Sequence, residues 1–161
     1  MKFIKIGKIV NTHALKGEVR IISNFEYKDR VFKIENHLFI GMNKNEEVIE
    51  TYRVHKNYDM VKFKNIDYIN DVLKYKGEIV YVNIDDLKLD ENEVLIEELL
   101  GMEVYSNNKF IGNITDYIDN NTNKLIMINN KYIPFNKDLI NKIDKINRKI
   151  YYKDISYILG E

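Results

Sequence analysis

Residues 12–20 combine several groups that can bind phosphate. His13, Lys16 and Arg20 carry N–H donors, and Gly17 can adopt the positive φ of a tight turn. Apolar runs flank the segment on both sides, so a rigid scaffold would hold it, as is common for functional loops. A turn that only reverses the chain would need Gly17 but not His13. We therefore predict that His13, Lys16, Gly17 and Arg20 form a phosphate-binding loop.

Catalytic and metal-binding patterns are weak elsewhere in the chain. There is no cysteine, and His13, His37 and His55 show none of the recurring spacings typical of metal ligands. Asp85 and Asp86 are adjacent, so in an extended segment their carboxylates would point apart. The seven glycines form neither a GxGxxG nor a P-loop pattern. The sequence therefore predicts no metal, no cofactor and no enzymatic activity, with a hydrolase as the less favoured alternative.

The chain also holds 12 tyrosines, many of them close to lysines. Aromatic rings beside lysine can stack on unpaired RNA bases. Tyrosine also favours β-strands, and for any single tyrosine we favour a packing role.

Charge is distributed unevenly, although 25 basic and 25 acidic residues sum to zero. The net charge is +4 in residues 1–30, −7 in 85–103 and +5 in 131–153. This pattern fits either a solvated surface or two basic faces joined by an acidic connector. Neutrality disfavours a protein that coats RNA but leaves local basic faces available. We predict a first domain at 1–85, an acidic linker at 86–94 and a second domain at 95–161.

Short β-branched and alternating runs predict a mainly β protein. The pairs Asn107-Asn108 and Asn129-Asn130 lie between such runs and predict two-residue hairpin turns. Helical spacing predicts a short helix within 68–76 and a helical turn at 139–143, and residues 11–17 are predicted as a loop. The predicted architecture is two small antiparallel β-barrels in tandem, with short helices.

Membrane insertion is not expected. The longest stretch without a charged side chain is the eight residues 36–43, whereas a spanning helix needs about 18 apolar residues. Lys5 and Lys8 interrupt the N-terminal apolar run, so no signal peptide is predicted. We expect a cytoplasmic monomer that does not bind membranes.

The segment around His13 resembles the opening of the RimM family of ribosome maturation factors. That family begins with a strand and a loop of the type T/A-H-G-x-x-G-E-x-R, which reads THALKGEVR at 12–20 here. Residues 53–56 and 61–63 resemble its central hairpin, and 96–104 and 132–135 resemble parts of a PRC barrel. Order, spacing and length agree over almost the whole chain, so we treat the match as specific.

The resemblance implies a non-enzymatic assembly factor for the small (30S) ribosomal subunit, which supports head-domain maturation and efficient 16S rRNA processing. It implies a translation-factor-like first barrel facing rRNA in the immature subunit. It also implies a PRC barrel that binds small-subunit ribosomal protein nineteen. We expect this protein contact at six residues in or beside the PRC-like segments: Leu95, Ile96, Leu99, Tyr132, Pro134 and Phe135.

Two departures from the family pattern affect these expectations. Ala14 stands where the family usually has glycine, and 94–96 is aliphatic where the family often has aromatic residues. A partner contact at 94–96 would therefore be aliphatic in this chain. Two alternatives stay open: a stand-alone RNA-binding module without a protein partner and, less favoured, an rRNA-processing hydrolase.

Overall fold

A computed structural model describes residues 1–13, 17–120 and 122–160. The chain divides into two compact units, Met1–Lys88 and Leu89–Glu161. Both are mainly β, with two six-stranded sheets and few short helices. This architecture confirms the predicted fold class. No helix in the described part of the chain is long and apolar enough to cross a membrane.

The first unit is a closed barrel. Its six strands run in the order β1-β2-β5-β4-β3-β6, and each pairs antiparallel with its neighbours. The helices α1 (Lys28–Val31) and α2 (Ile69–Leu73) interrupt the strand sequence. The strands are β1 Phe3–His13, β2 Glu18–Ile22, β3 His37–Ile40, β4 Asn45–His55, β5 Tyr58–Phe63 and β6 Ile79–Asn83.

The barrel interior contains one buried carboxylate among its apolar residues. Asp59 is the second residue of β5 and is only 2% exposed. Lys28 donates to it through Nζ at 2.8 Å, and Tyr52 donates through Oη at 2.6 Å. Burial, together with this bond, raises the pKa of Tyr52. A buried charge is costly unless it is paired, so these two donors are what make Asp59 tolerable there. Phe32 stacks on Tyr52 and completes the cluster.

The second unit is a six-stranded sheet in the order β10-β9-β8-β7-β12-β11. The long strand β8 pairs with β7 through its first half and with β9 through its second half. Tyr152 donates through Oη to the carbonyl of Pro134 at 2.9 Å, which joins β12 to β10 across the buried core. The strands are β7 Glu103–Ser106, β8 Lys109–Asn120, β9 Asn123–Ile128, β10 Lys131–Pro134, β11 Ile140–Asp144 and β12 Lys149–Tyr152, followed by α3 at Ser156–Leu159.

Local predictions succeeded at the hairpins. Asn107 and Asn108 both have positive φ, as do Asn129 and Asn130, which is the geometry of a type I′ turn. Helix α2 lies within the predicted 68–76. Gly17 has φ +67°, as its turn position requires.

Three local predictions were wrong. Residues 139–143 do not form a helical turn, because 140–144 form β11, which pairs with β12. The loop predicted from residue 11 begins later, since β1 continues to His13 in register with β2. The second sheet is not wholly antiparallel, because β12 pairs parallel to β7.

The acidic segment predicted as a linker is packed at both ends. A 3-10 helix at Ile84–Leu87 buries Leu87 within the first unit. Arg30 of α1 donates through Nη1 to the carbonyls of Leu87 and Lys88 at 3.3 and 3.0 Å. Val94 belongs to the core of the second unit. Residues 86–94 therefore begin and end inside folded units.

Gly7 allows the barrel wall to close tightly. A β-carbon at this position would lie 2.5 Å from the carbonyl oxygen of Ile22 and 3.1 Å from Ser23 Cβ. We expect Gly7→Ala to lower the free energy of unfolding by about 1–3 kcal/mol, as overpacking does. Urea denaturation will measure this loss. The exposed neighbour in Lys8→Ala is the control, and equal stabilities of the two variants would contradict the prediction.

Candidate nucleic-acid interface

Strand β2 separates apolar from polar side chains. Val19 and Ile21 are fully buried and point into the barrel, so Glu18 and Arg20 lie on its outer face. The pairing of β1 with β2 sets His13 opposite Glu18 and Asn11 opposite Arg20. His13 and Arg20, predicted from residue type alone, therefore share one outer face of the barrel.

The same face continues across β5 and β4. Arg20 and Arg53 lie in register on either side of Met60, and Glu18 lies opposite Lys62. Met60 is fully buried although it points outward, so the neighbouring side chains cover it. We call the outward set formed by five residues the polar face: His13, Glu18, Arg20, Arg53 and Lys62.

Two of its cations are paired with carboxylates. Arg53 donates through Nε and Nη2 to the two carboxylate oxygens of Glu18, both at 2.9 Å. Glu18 is 4% exposed, and these bonds raise the pKa of Arg53. Lys62 bonds to Glu50 and, at 3.3 Å, to Asp67. Their charges are thus compensated within the barrel.

Arg20 and His13 differ from these residues. The guanidinium carbon of Arg20 lies 5.8 Å from the ring centroid of Tyr58, a cation–π contact. Within the described residues, Arg20 Nε and His13 Nδ1 are buried without a hydrogen-bond partner. Arg20 forms no ion pair with a described carboxylate. A phosphate placed on this face would meet a guanidinium that no described carboxylate neutralises, and guanidinium groups are good phosphate donors.

The remaining predicted phosphate ligand, Lys16, lies outside the described residues. Sequence reasoning missed the roles of Glu18 and Arg53, because the two are 35 residues apart and only the fold joins them. The described residues contain no group of three or more His, Cys, Asp or Glu side chains that could hold a metal ion.

The predicted protein-binding residues fall into two groups. Leu95, Ile96 and Leu99 are 3%, 7% and 0% exposed, so they pack inside the protein and present no surface to a partner in this conformation. Ile96 and Leu99 belong to the core of the second unit and bound a 3-10 helix at Ile96–Leu99. An aliphatic partner contact at 94–96 therefore has no exposed side chains to support it.

The second group is accessible. Tyr132 is 37% exposed on β10, Pro134 ends that strand, and Phe135 follows it. Pro134 and Phe135 are half-buried, and Phe135 also packs against the core. Tyr132 donates through Oη to Asp116 at 3.1 Å, which orients its ring at the surface.

The fold and the polar face define a class of protein: a two-unit, mainly β protein with a closed first barrel, on whose outer face no described carboxylate pairs with Arg20. The family model of the RimM N-terminal domain matches residues 4–87. The ribosome maturation factor RimM of Staphylococcus haemolyticus is 35% identical over 155 residues, which cover 91% of this chain and 93% of that protein. The corresponding factor of an Exiguobacterium species is 36% identical over 170 residues, covering 100% and 99%. The chain therefore belongs to the RimM family.

A solved structure from Pseudomonas aeruginosa, described as a 16S ribosomal RNA processing protein RimM, is also similar. It is 16% identical with a TM-score of 0.49, and the alignment covers 94% of this chain and 97% of that one.

Removing either of the two arginines of the polar face should affect the stability of the protein differently. Arg53→Ala deletes the guanidinium that bonds both carboxylate oxygens of the buried Glu18, so we expect a lower midpoint of urea denaturation. Arg20→Ala removes no carboxylate contact and should leave the midpoint close to that of the unmodified protein. Adding Glu18→Gln to Arg53→Ala should recover part of the loss, because the uncompensated charge disappears. Equal midpoints for the two arginine variants would disprove this division.

Proposed function

We propose that this protein is a non-enzymatic assembly factor for the small ribosomal subunit. It would bind the immature 30S particle, support maturation of the head domain and so promote efficient processing of 16S rRNA. The observation that carries the proposal is the uncompensated Arg20 beside His13, on the outer face of a barrel in a chain of the RimM family. The relatives' name, ribosome maturation factor, supports the ribosomal target.

The first unit would contact 16S rRNA through phosphates. Arg20 supplies the fork of donors, and His13 lies on the paired strand β1. Lys16 is included from the sequence, where it stands four residues before Arg20. Arg53 is assigned a structural role instead, because its Nε and Nη2 already donate to both carboxylate oxygens of the buried Glu18. Few free cations lie on this face, so the electrostatic contact is local and does not favour RNA in general.

The second unit would bind small-subunit ribosomal protein nineteen. Its contact is best placed on Tyr132, Pro134 and Phe135, because these residues reach the surface whereas Leu95, Ile96 and Leu99 are buried. An aromatic ring held by a hydrogen bond, beside a proline, is a rigid apolar anchor of the kind that dominates protein interfaces.

Such a factor needs no catalytic step. If it binds the immature arrangement of rRNA and protein more tightly than the mature one, it shifts the population towards productive intermediates. It then dissociates when the mature contacts form. Differential binding is therefore a sufficient mechanism, and the polar face would supply one of its contacts.

Removal of Arg20 should weaken binding to immature small subunits. We expect Arg20→Ala to reduce affinity roughly tenfold, the scale of one charge-assisted hydrogen bond. The slope of log affinity against log salt should fall by about 0.7–0.9 for each phosphate that the variant no longer neutralises. Titration of purified immature particles at several salt concentrations measures both quantities.

Lys33→Ala is the matched control, since it also removes one exposed positive charge but lies between α1 and β3 in the sequence, outside the polar face. Lys33→Ala should change little in the affinity for immature particles or in its salt dependence. The triple variant His13→Ala, Lys16→Ala, Arg20→Ala should bind more weakly still. Binding that is independent of salt, or a triple variant that binds normally while folded, would refute the phosphate contact.

Tyr132→Ala should weaken capture of ribosomal protein nineteen by about tenfold or more, because the anchor ring is removed. Tyr157→Ala removes another exposed tyrosine of the same unit, in α3, and should leave capture of this ribosomal protein unchanged. The measurement is a pull-down against separated ribosomal proteins, with and without 16S rRNA. Capture of no ribosomal protein would favour a stand-alone RNA-binding module, and cleavage of the added rRNA would favour a hydrolase.

A further inference from the structure

Aromatic side chains form a row across the outer face of the second sheet. Val104 and Ile150 are fully buried, so the alternating neighbours Tyr105 and Tyr151 point outward. In register, Tyr105 lies opposite Tyr151 on one side and opposite Phe110 on the other. The two tyrosine rings stack with centroids 5.3 Å apart, and Phe110 meets Tyr105 edge-on at 5.7 Å. Phe110 is 48% exposed.

An open cleft of about 280 Å³ lies beside this row. Tyr105 and Tyr151 line one part of it, and Asn107, Asn108 and Asn141 line another part, with the Asn107 side chain bonded to Asp154. Amide groups offer donors and acceptors together, as base edges do. The cleft thus combines flat apolar rings with groups that can hydrogen-bond to a planar, polar ligand.

Lysines surround the row and the cleft. Lys149 Nζ lies 5.4 Å from the ring centroid of Tyr105, Lys142 lies opposite Tyr151 in register, and Lys153 lines the cleft. Three carboxylates are also close: Glu103 lies 3.9 Å from Lys149, Asp144 lies opposite Lys149 in register, and Asp154 lines the cleft. The lysines around the row are therefore partly compensated, and they would supply a few local phosphate contacts and not a broad basic surface.

We infer that this surface binds single-stranded RNA, with one unpaired base in the cleft. The base would stack against Tyr105 or Tyr151, its edge would bond to the asparagine amides, and the lysines would contact the flanking phosphates. Stacking on exposed aromatic rings beside cations is the common mode of binding unpaired RNA. Flat rings, amide side chains and lysines side by side suit a ligand with planar bases and phosphates better than an apolar peptide. This site lies in the second unit, apart from Tyr132, and does not depend on the contact proposed for Arg20.

The test uses the full chain and fluorescein-labelled ten-nucleotide oligouridylate and oligoadenylate, with an RNA duplex of equal length as a comparison. Fluorescence anisotropy should show tighter binding of at least one single strand than of the duplex, because paired bases cannot enter the cleft. The double variant Tyr105→Leu, Tyr151→Leu should weaken single-strand binding about tenfold or more. Leucine keeps an apolar side chain on both strands while removing the stacking face. Circular dichroism and urea denaturation establish that the variant is folded.

Lys153→Glu gives an independent variant at an exposed position and should also weaken single-strand binding by about tenfold. Tyr157→Leu is the matched control, because this exposed tyrosine of α3 lies outside the row and the cleft lining, and it should leave RNA binding unchanged. Arg20→Ala should retain the tyrosine-dependent component, so a failure of the rRNA contact of the first unit can be told from a failure here. The inference is overturned if duplex binds as tightly as both single strands. It is also overturned if Lys153→Glu and the folded double variant bind RNA normally, or if they lose only ribosomal-protein capture.

Discussion

Closure of the first barrel through β1 is the constraint on which the polar face depends. This strand pairs with β2 on one side and with β6 on the other, so the sheet has no free edge there. Because side chains alternate along each paired strand, closure fixes which residues point inward and which outward. Val19 and Ile21 fill the interior, and Arg20 between them must lie outside. The outward position of Arg20 thus follows from the packing of its neighbours and not from any contact of its own.

The features of the fold that were predictable have local causes. Asparagine tolerates positive φ, so the two Asn-Asn pairs predict their turns from the sequence alone. The features that were missed have distant causes. The apolar residues within 139–143 have helical spacing, but 140–144 form a strand that pairs with β12. The parallel pairing of β7 with β12 has no signal in the sequence of either strand. Helix α1 has no side-chain N-cap and is held instead by the buried Val31 and by Asp59, 31 residues away from Lys28.

The candidate site divides in the same way. Residue type alone drew attention to His13 and Arg20, because imidazole and guanidinium groups near a glycine turn can donate to phosphate oxygens. Residue type could not distinguish Arg20 from Arg53. That distinction depends on Glu18, which is buried on an outer face and so requires a charged partner. Only the pairing of β5 with both β2 and β4 brings that partner to it.

Local charge compensation is compatible with the RNA contacts proposed for a chain of zero net charge. Carboxylates neutralise Arg53 and Lys62 on the first unit, and Glu103 lies against Lys149 on the second. The few cations that remain would give each proposed RNA contact a modest affinity. Two modest contacts on one chain give a higher combined affinity when one target binds both. That affinity falls steeply when either binding site on the target is lost. For an assembly factor this is an advantage, because maturation of a single contact in the particle is then enough to release the protein.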